Sequence, residues 1–289
     1  MNMLLFLVLF IVLIFPGLCY LVSIASNALR GNLERIADES GGLWLGVLAG
    51  WFNAMGATVL ISLSYPFQRL LRRRGGGTGT PVVLIHGLYH NPAAWLLFAR
   101  WLERRGYGNS YTVGYGSFTT VFSEIVQEAG RVVDQALESN PGQRVLLCGH
   151  SLGGLVCRAL LAEKRFQGRI AGVATMGTPH RGSLLGHVAI GGLGRSLRPG
   201  SRVMRDLDEL SEPRDVPRLA LFTPLDNMVM PEQCLRVGRE GWMEDRLPLR
   251  VSHVGMIYHR PLAERVVTFF RLAEAMSEWN GQGRDCDMP

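Results

Sequence analysis

Lysine is almost missing from this chain of 289 residues: Lys164 is the only one, so nearly all of its 30 basic side chains are arginine. Aromatic residues do not interleave with a basic stripe, which argues against a nucleic-acid partner despite the net charge of +6. The one dense basic run, Arg69, Arg72, Arg73 and Arg74, directly follows an apolar segment, the placement of a membrane boundary. Cysteine is also sparse. The five residues Cys19, Cys148, Cys157, Cys234 and Cys286 are odd in number and lack metal-ligand spacing, which argues against a metal site and a disulfide framework and leans toward a reducing compartment. Cys148 and Cys157 sit in apolar runs and read as small core residues. No internal repeat is present, and charged residues reach only 19% against 47% hydrophobic, enough for a sizeable core.

The most local absence is that of charge from Met1 to Leu29. The run MLLFLVLFIVLIFPGLCYLVSIA, residues 3–25, is long enough to cross a bilayer, which takes roughly 20 apolar residues. It lacks a basic leading region and exceeds a usual signal-peptide core, so a retained anchor is expected rather than a cleaved signal. A second uncharged stretch, Gly41 to Gln68, is richer in glycine and supplies a candidate span at 43–65; a buried core helix is its bland alternative. Two spans make a hairpin. Four arginines after the second span, against Arg30 and Arg35 between the two, place the rest of the chain in the cytoplasm by the positive-inside bias. With only the first segment spanning, the domain would lie outside. Residues 1–74 are thus expected to be an anchor region. The stretch GGGTGT, 75–80, reads as a flexible linker, and 81–289 as the catalytic domain.

From Pro81 on, short solid apolar runs alternate with amphipathic segments. PVVLIHG, SYTVGYG, QRVLLCG, RIAGVATMG and PRLALFTP read as strands; the segments around 91–106, 122–139, 152–164 and 261–279 read as helices. Strands without polar alternation, separated by helices, predict an α/β architecture with a mostly parallel sheet covered on both faces. Residues from Thr178 to Pro213 read as a long irregular stretch.

Ser151 stands between Gly149 and Gly153, where a buried run turns into a helical pattern. The motif Gly-x-Ser-x-Gly is weak alone, but its context here is demanding: strand before, helix after, inside a βα series. A sharp bend brings the flanking positions close together, so side chains there would collide. The same turn lifts the hydroxyl clear of the sheet. A passive serine in a glycine-rich turn is the bland alternative. A serine at its free pKa needs a base. His253, in the loop before the last helix, is the expected base; His259, His187 and His90 are rivals with helix-cap, surface and neighbouring-loop explanations. His150 adjoins Ser151 and should point away. The imidazole needs an orienting carboxylate. Asp226 directly follows a strand in a turn rich in proline and asparagine, whereas Asp206, Asp208 and Asp215 have no strand immediately before them and Asp245 is a weaker rival. The order Ser, Asp, His matches this architecture. An oxyanion would be received by the N–H of Leu152 and by one in the loop after the first strand, Leu88 first and Tyr89 second. Gly87 allows a tight turn there.

Taken together, HGL at His86–Gly87, GHSLGG, GTPHRGS with His180, LDNMV and SHVGM resemble the α/β-hydrolase superfamily, most nearly its bacterial lipase and esterase branch. LRPGSRVMRDL resembles a segment that these enzymes carry in their cap. The resemblance runs from Pro81 to about Ala275. It implies serine ester hydrolysis through an acyl-enzyme, with no cofactor and no particular ester; with the anchor region and the candidate lid, the expectation is a bacterial inner-membrane enzyme acting on a lipid-like or other acyl-ester substrate. An acyltransferase or thioesterase would use the same triad, and a non-catalytic binding protein would keep the fold while usually losing a triad member. Two departures stand out. The antiparallel strands that often open this fold have no room before Pro81, and the aspartates that bind calcium in related lipases have no match, so no metal is expected. Residues 181–213, with Leu184, Leu185, Val188, Ile190 and Leu193, form a candidate lid over an acyl pocket; a packed, immobile cap is its plain alternative. Oligomeric state is not readable.

Overall fold

The computed structural model describes residues 3–69 and 72–285; residues 1–2, 70–71 and 286–289, with Cys286 among the last, lie outside the described residues. The chain opens with α1 (Met3–Leu9), which passes through one π-helical turn into α2 (Phe15–Ala28). A short α3 (Leu33–Ser40) leads to α4 (Leu43–Ser64). Two helical segments, Leu7–Ala28 and Leu43–Phe67, are 22 and 25 residues long and predominantly apolar. At 1.5 Å per residue the shorter extends about 33 Å, the thickness of a hydrocarbon core. By length and composition both are compatible with a transmembrane hairpin, although α4 also packs on the domain through Asn53 and Ile61. Gly46, Gly50, Ala54 and Ala57 line the buried stripe of α4; at Gly50 the missing side chain lets α2 approach, with Tyr20 in its place, whereas Gly46 faces Ser40 and Leu225. The opposite faces expose Leu21, Trp44, Phe52 and Leu63.

The sheet follows as β1 (Val82–Ile85), α5 (Leu96–Glu103), β2 (Ser110–Thr112), α6 (Phe122–Glu138), β3 (Val145–His150), α7 (Leu152–Ala162) and β4 (Ile170–Met176). Then come α8 (Gly191–Arg195), α9 (Arg202–Glu209), β5 (Arg218–Phe222), β6 (Trp242–Arg246) and α10 (Arg260–Asp285). Six strands run parallel in the order β2-β1-β3-β4-β5-β6. Alternate strand residues serve opposite layers. Val83, Ile85, Val145 and Leu147 pack toward α6 and α7, while Val82, Leu84, Leu146 and Cys148 pack toward α5 and α10. The apolar face of α6, Ile125, Ala129, Val132, Val133, Ala136 and Leu137, is buried as its spacing requires. Each of the valine, leucine and isoleucine side chains among them contributes about 1.5–3 kcal/mol on leaving water.

Three expectations are corrected. A sixth strand, β6, lies between β5 and His253; its WMEDR sequence carries charge at the sheet edge and hides the pattern of a buried strand. The 178–213 stretch is not irregular throughout, since a 3-10 turn (Leu184–His187), α8 and α9 occupy much of it. The 75–80 segment is laid against the sheet edge rather than hanging free: Gly75 N–H donates to the Ser110 carbonyl at 2.9 Å, and the Thr78 carbonyl accepts from Gly108 and Asn109. Gly77 and Gly79 face the backbones of Gly108 and Gly106 with no room for a Cβ.

Candidate active site

The chain steps from β1 outward to β2 and then returns to place β3 on the other side of β1. Such a reversal opens a crevice at the carboxyl ends of the two central strands. Ser151 follows β3 there, and the 86–91 loop follows β1.

Ser151 has φ 55° and ψ −123°, a conformation that costs an L-residue of order 1–3 kcal/mol. Its N–H is fixed on the Met176 carbonyl of β4 at 2.8 Å. The flanking glycines are sterically required, though against different neighbours. A Cβ on Gly149 would strike the backbone of Gly153 and Gly154; one on Gly153 would strike the Ile85 and His86 carbonyls of β1. Gly87 is needed for close approach, because its Cβ would stand 2.9 Å from the Ser151 Cβ. It also opens the tight turn expected there, its carbonyl accepting from His90 N–H at 3.3 Å, while Tyr89, with φ 60°, takes the left-handed position within it.

Asp226 and His253 are brought together. His253 Nδ1 lies 2.7 Å from Asp226 Oδ2, and both side chains are almost wholly buried. Asp226 Oδ1 accepts from the N–H groups of Met228 and Val229 at 2.9 and 2.8 Å, which locks the carboxylate plane. Among the described residues no other histidine meets a carboxylate. His187 is exposed on the cap, His259 sits half-buried before α10, and His90 stacks on His150. His150 turns its Nε2 to the His253 carbonyl at 2.9 Å, away from the serine hydroxyl. The rival acids are elsewhere: Asp206 pairs with Arg202, Asp208 and Asp215 are exposed, and Asp245 on β6 pairs with Arg265.

Ser151 and His253 line one cavity of about 200 Å³, walled by Leu88, Leu185, Val188, Ile190, Met228 and Phe15. Its wall is mostly apolar. Leu152 N–H, at the first position of α7, has no intrahelical acceptor. Among the described residues Leu88 N–H also meets no acceptor, whereas Tyr89 N–H donates to Ser117 Oγ at 2.7 Å and is not free. His86 and His180 do not line the cavity. His86 stacks on Tyr115 at 4.1 Å, and His180 bonds Thr175 and packs on Trp242. Sequence reasoning missed Asn227, whose Oδ1 accepts from His253 N–H at 3.3 Å. It also missed the role of Gly177, which lies against the carboxylate–imidazole pair: a Cβ there would stand 3.1 Å from both Asp226 Oδ2 and His253 Nδ1.

Burial sets the charge of the neighbouring imidazoles. It pushes His86 from 6.5 down to about 4, with a bond to the Gly87 carbonyl opposing the shift. His90 and His150 are driven well below the ordinary range by burial and then by adjacent imidazoles. His180 is lowered by burial and by Arg158 and Arg181. Below about pH 6.5 the unfolded chain therefore holds more protons than the folded one. Stability is complete above that pH and drains as pH falls through the window toward 4. His86 alone contributes roughly 3 kcal/mol over it. Thermal midpoints measured across the window are expected to fall steadily with acid, and His86→Asn to flatten part of that slope.

A serine raised on a strained strand–helix turn, at the reversal of a parallel sheet, is the arrangement of the α/β-hydrolase class. Residues 82–283 match the alpha/beta hydrolase family, and the chain belongs to that family. The fold resembles the mature Bacillus licheniformis lipase BlEst2, with TM-score 0.57 and 17% identity over 68% of this chain and 92% of that one. It also resembles Aspergillus fumigatus lipase B, with TM-score 0.53 and 13% identity over 68% of this chain and 54% of that one. The product of the Listeria innocua gene lin2722 gives TM-score 0.50 and 13% identity over 66% and 93%. No curated protein matches the chain by sequence.

Proposed function

We propose that the chain is a membrane-anchored serine hydrolase that cleaves carboxylic esters of lipid-like molecules through an acyl-enzyme. Ser151 is the nucleophile, His253 the general base and Asp226 the acid that holds its tautomer. Asp226 on Nδ1 leaves Nε2 as the proton acceptor for the serine hydroxyl. The N–H groups of Leu152 and Leu88 receive the oxyanion, and the protonated imidazole then returns its proton to the leaving alcohol. Water repeats the sequence on the acyl-enzyme. The observation that carries this reading is the 2.7 Å bond between Asp226 and His253, with His253 and Ser151 opening into the same apolar cavity. The apolar wall favours an acyl chain over a polar substrate. Lipase B and BlEst2 carry the word lipase in their names, which fits this substrate class.

The exposed apolar faces of α2 and α4, with Leu21, Trp44, Phe52 and Leu63, hold the enzyme at the bilayer while their inner faces pack on the domain, and the arginine bias argues for the cytoplasmic side. Val188 and Ile190, exposed at the cavity rim, suit a cap that opens on a lipid surface. A series of p-nitrophenyl esters of rising acyl length, offered below and above their micelle concentration, tests the proposal. Hydrolysis is expected to rise with acyl length and again on micelle formation. A fluorophosphonate probe should attach at Ser151. Absence of both labelling and turnover in the full chain would end the reading; turnover without a rise on micelles would remove only the moving cap.

A further inference from the structure

Polar side chains are expensive on helices that face hydrocarbon, and they persist there when they meet a partner. The two apolar helices carry several, and their partners are the loops of the candidate active site. Tyr20 Oη of α2 donates to the Leu225 carbonyl at 3.0 Å, and Ser23 Oγ donates to the Asp226 carbonyl at 3.4 Å. Asn53 of α4 points its Oδ1 at the other side of the pair. That oxygen accepts from Ser252 N–H at 3.0 Å and from Ser252 Oγ at 2.8 Å, one residue before His253. Ser252 Oγ in turn accepts from Gly255 N–H at 3.1 Å, so the loop is wound around the Asn53 amide. The fit is tight: a Cβ on Gly255 would collide with Asn53 Oδ1. The third loop is held the same way. Tyr65 Oη donates to the Tyr89 carbonyl at 2.7 Å, and Asn91 Nδ2 to Ser64 Oγ at 2.9 Å.

The geometry points to the apolar hairpin as a positioning part of the active site, with Asn53 setting the place of His253 through Ser252. This rests on the ester-hydrolase reading above. Ser252 has its backbone donor and its hydroxyl fixed on a single oxygen, so removing that oxygen frees both bonds at once. The imidazole would still reach Asp226, but its loop would wander relative to Ser151. Docking alone predicts something different: lost contacts would lower the melting point and leave the turnover of folded molecules intact. Misplacing a reacting group by about 1 Å costs on the order of a hundredfold in rate without weakening substrate binding.

The test uses the full chain in detergent or proteoliposomes, with p-nitrophenyl butyrate as substrate and a fluorophosphonate as probe. Asn53→Leu is expected to lower kcat per folded molecule by about tenfold or more while KM moves less than about twofold. Asn53→Asp, which keeps an acceptor oxygen, is expected to recover most of the loss. Ser252→Ala is expected to cost little once Asn53→Leu is present, because both variants break the same link. A wild-type kcat in Asn53→Leu overturns the inference, as does full additivity with Ser252→Ala. Where Asn53→Leu does not accumulate as folded protein, Ser252→Ala and Tyr20→Phe decide: unchanged kcat in both overturns it, and a fall at constant KM supports it. A wild-type chain that neither labels nor turns over is a different failure, since it removes the ester-hydrolase reading itself.

Discussion

Replacing Ser151 with alanine is expected to lower kcat for every ester by about 10⁴- to 10⁶-fold and to leave the fold intact. The two halves of that statement have separate grounds. The chemical half follows from the proposed role of Ser151 as nucleophile: on that mechanism no acyl-enzyme forms without Oγ, and only the proposed oxyanion donors and the cavity wall remain to assist water. The structural half follows from what holds the residue in place. Its position depends on the backbone N–H bond to Met176 and on the glycines around it, none of which involves the hydroxyl. Alanine also tolerates φ 55° no worse than serine does. Steady-state rates, fluorophosphonate labelling and a melting curve on the same preparation check both halves. Residual turnover near one-tenth of wild type with an unshifted melting curve would show that the hydroxyl is not the nucleophile.

The parts of this site that sequence made legible are those governed by short-range rules. Ser151 was readable because the bend between a buried strand and a helix excludes Cβ atoms at Gly149 and Gly153. The pairing of Asp226 with His253 was anticipated because chain order and strand ends restrict where an acid and a base could meet near such a serine. Strands β1, β3, β4 and β5 were readable because burial on both faces makes them solid apolar runs. The edge strand β6 was not: its Met243 and Glu244 face solvent and Asp245 pairs with Arg265, so neither a solid run nor a clean alternation marks it. Helix α9 was hidden by its length, since eight residues with Met204 and Leu207 inward leave too short a period to recognise. The fixings of the loops were invisible for another reason. Asn227 on His253, Ser117 on Tyr89 and Asn53 on Ser252 join residues 26, 28 and 199 positions apart through one or two hydrogen bonds each, and no local pattern records such a pairing.

The second large effect is expected at Asp226, where asparagine should lower kcat by about 10⁴-fold. The geometry makes the reason specific. In the wild type Oδ1 is occupied by the N–H groups of Met228 and Val229, and Oδ2 alone faces His253 Nδ1. An asparagine at this position keeps its carbonyl oxygen on the two backbone donors, because turning the amide round would set an NH₂ against them. The amide nitrogen then faces Nδ1, and donor meets donor unless the imidazole moves its proton to Nε2. That tautomer offers Ser151 an N–H instead of a lone pair, so the base is present but carries its proton on the wrong nitrogen. Volume and packing change little, and the melting point should stay close to that of the wild type. Fluorophosphonate labelling of Ser151 should slow in parallel with ester turnover, since both need the same deprotonation. High pH should restore part of the rate, because hydroxide can then remove the serine proton without the imidazole. A loss of less than about tenfold, with labelling at the wild-type rate, would show that Asp226 does not hold the base, because a carboxylate that fixes the tautomer is worth far more than that.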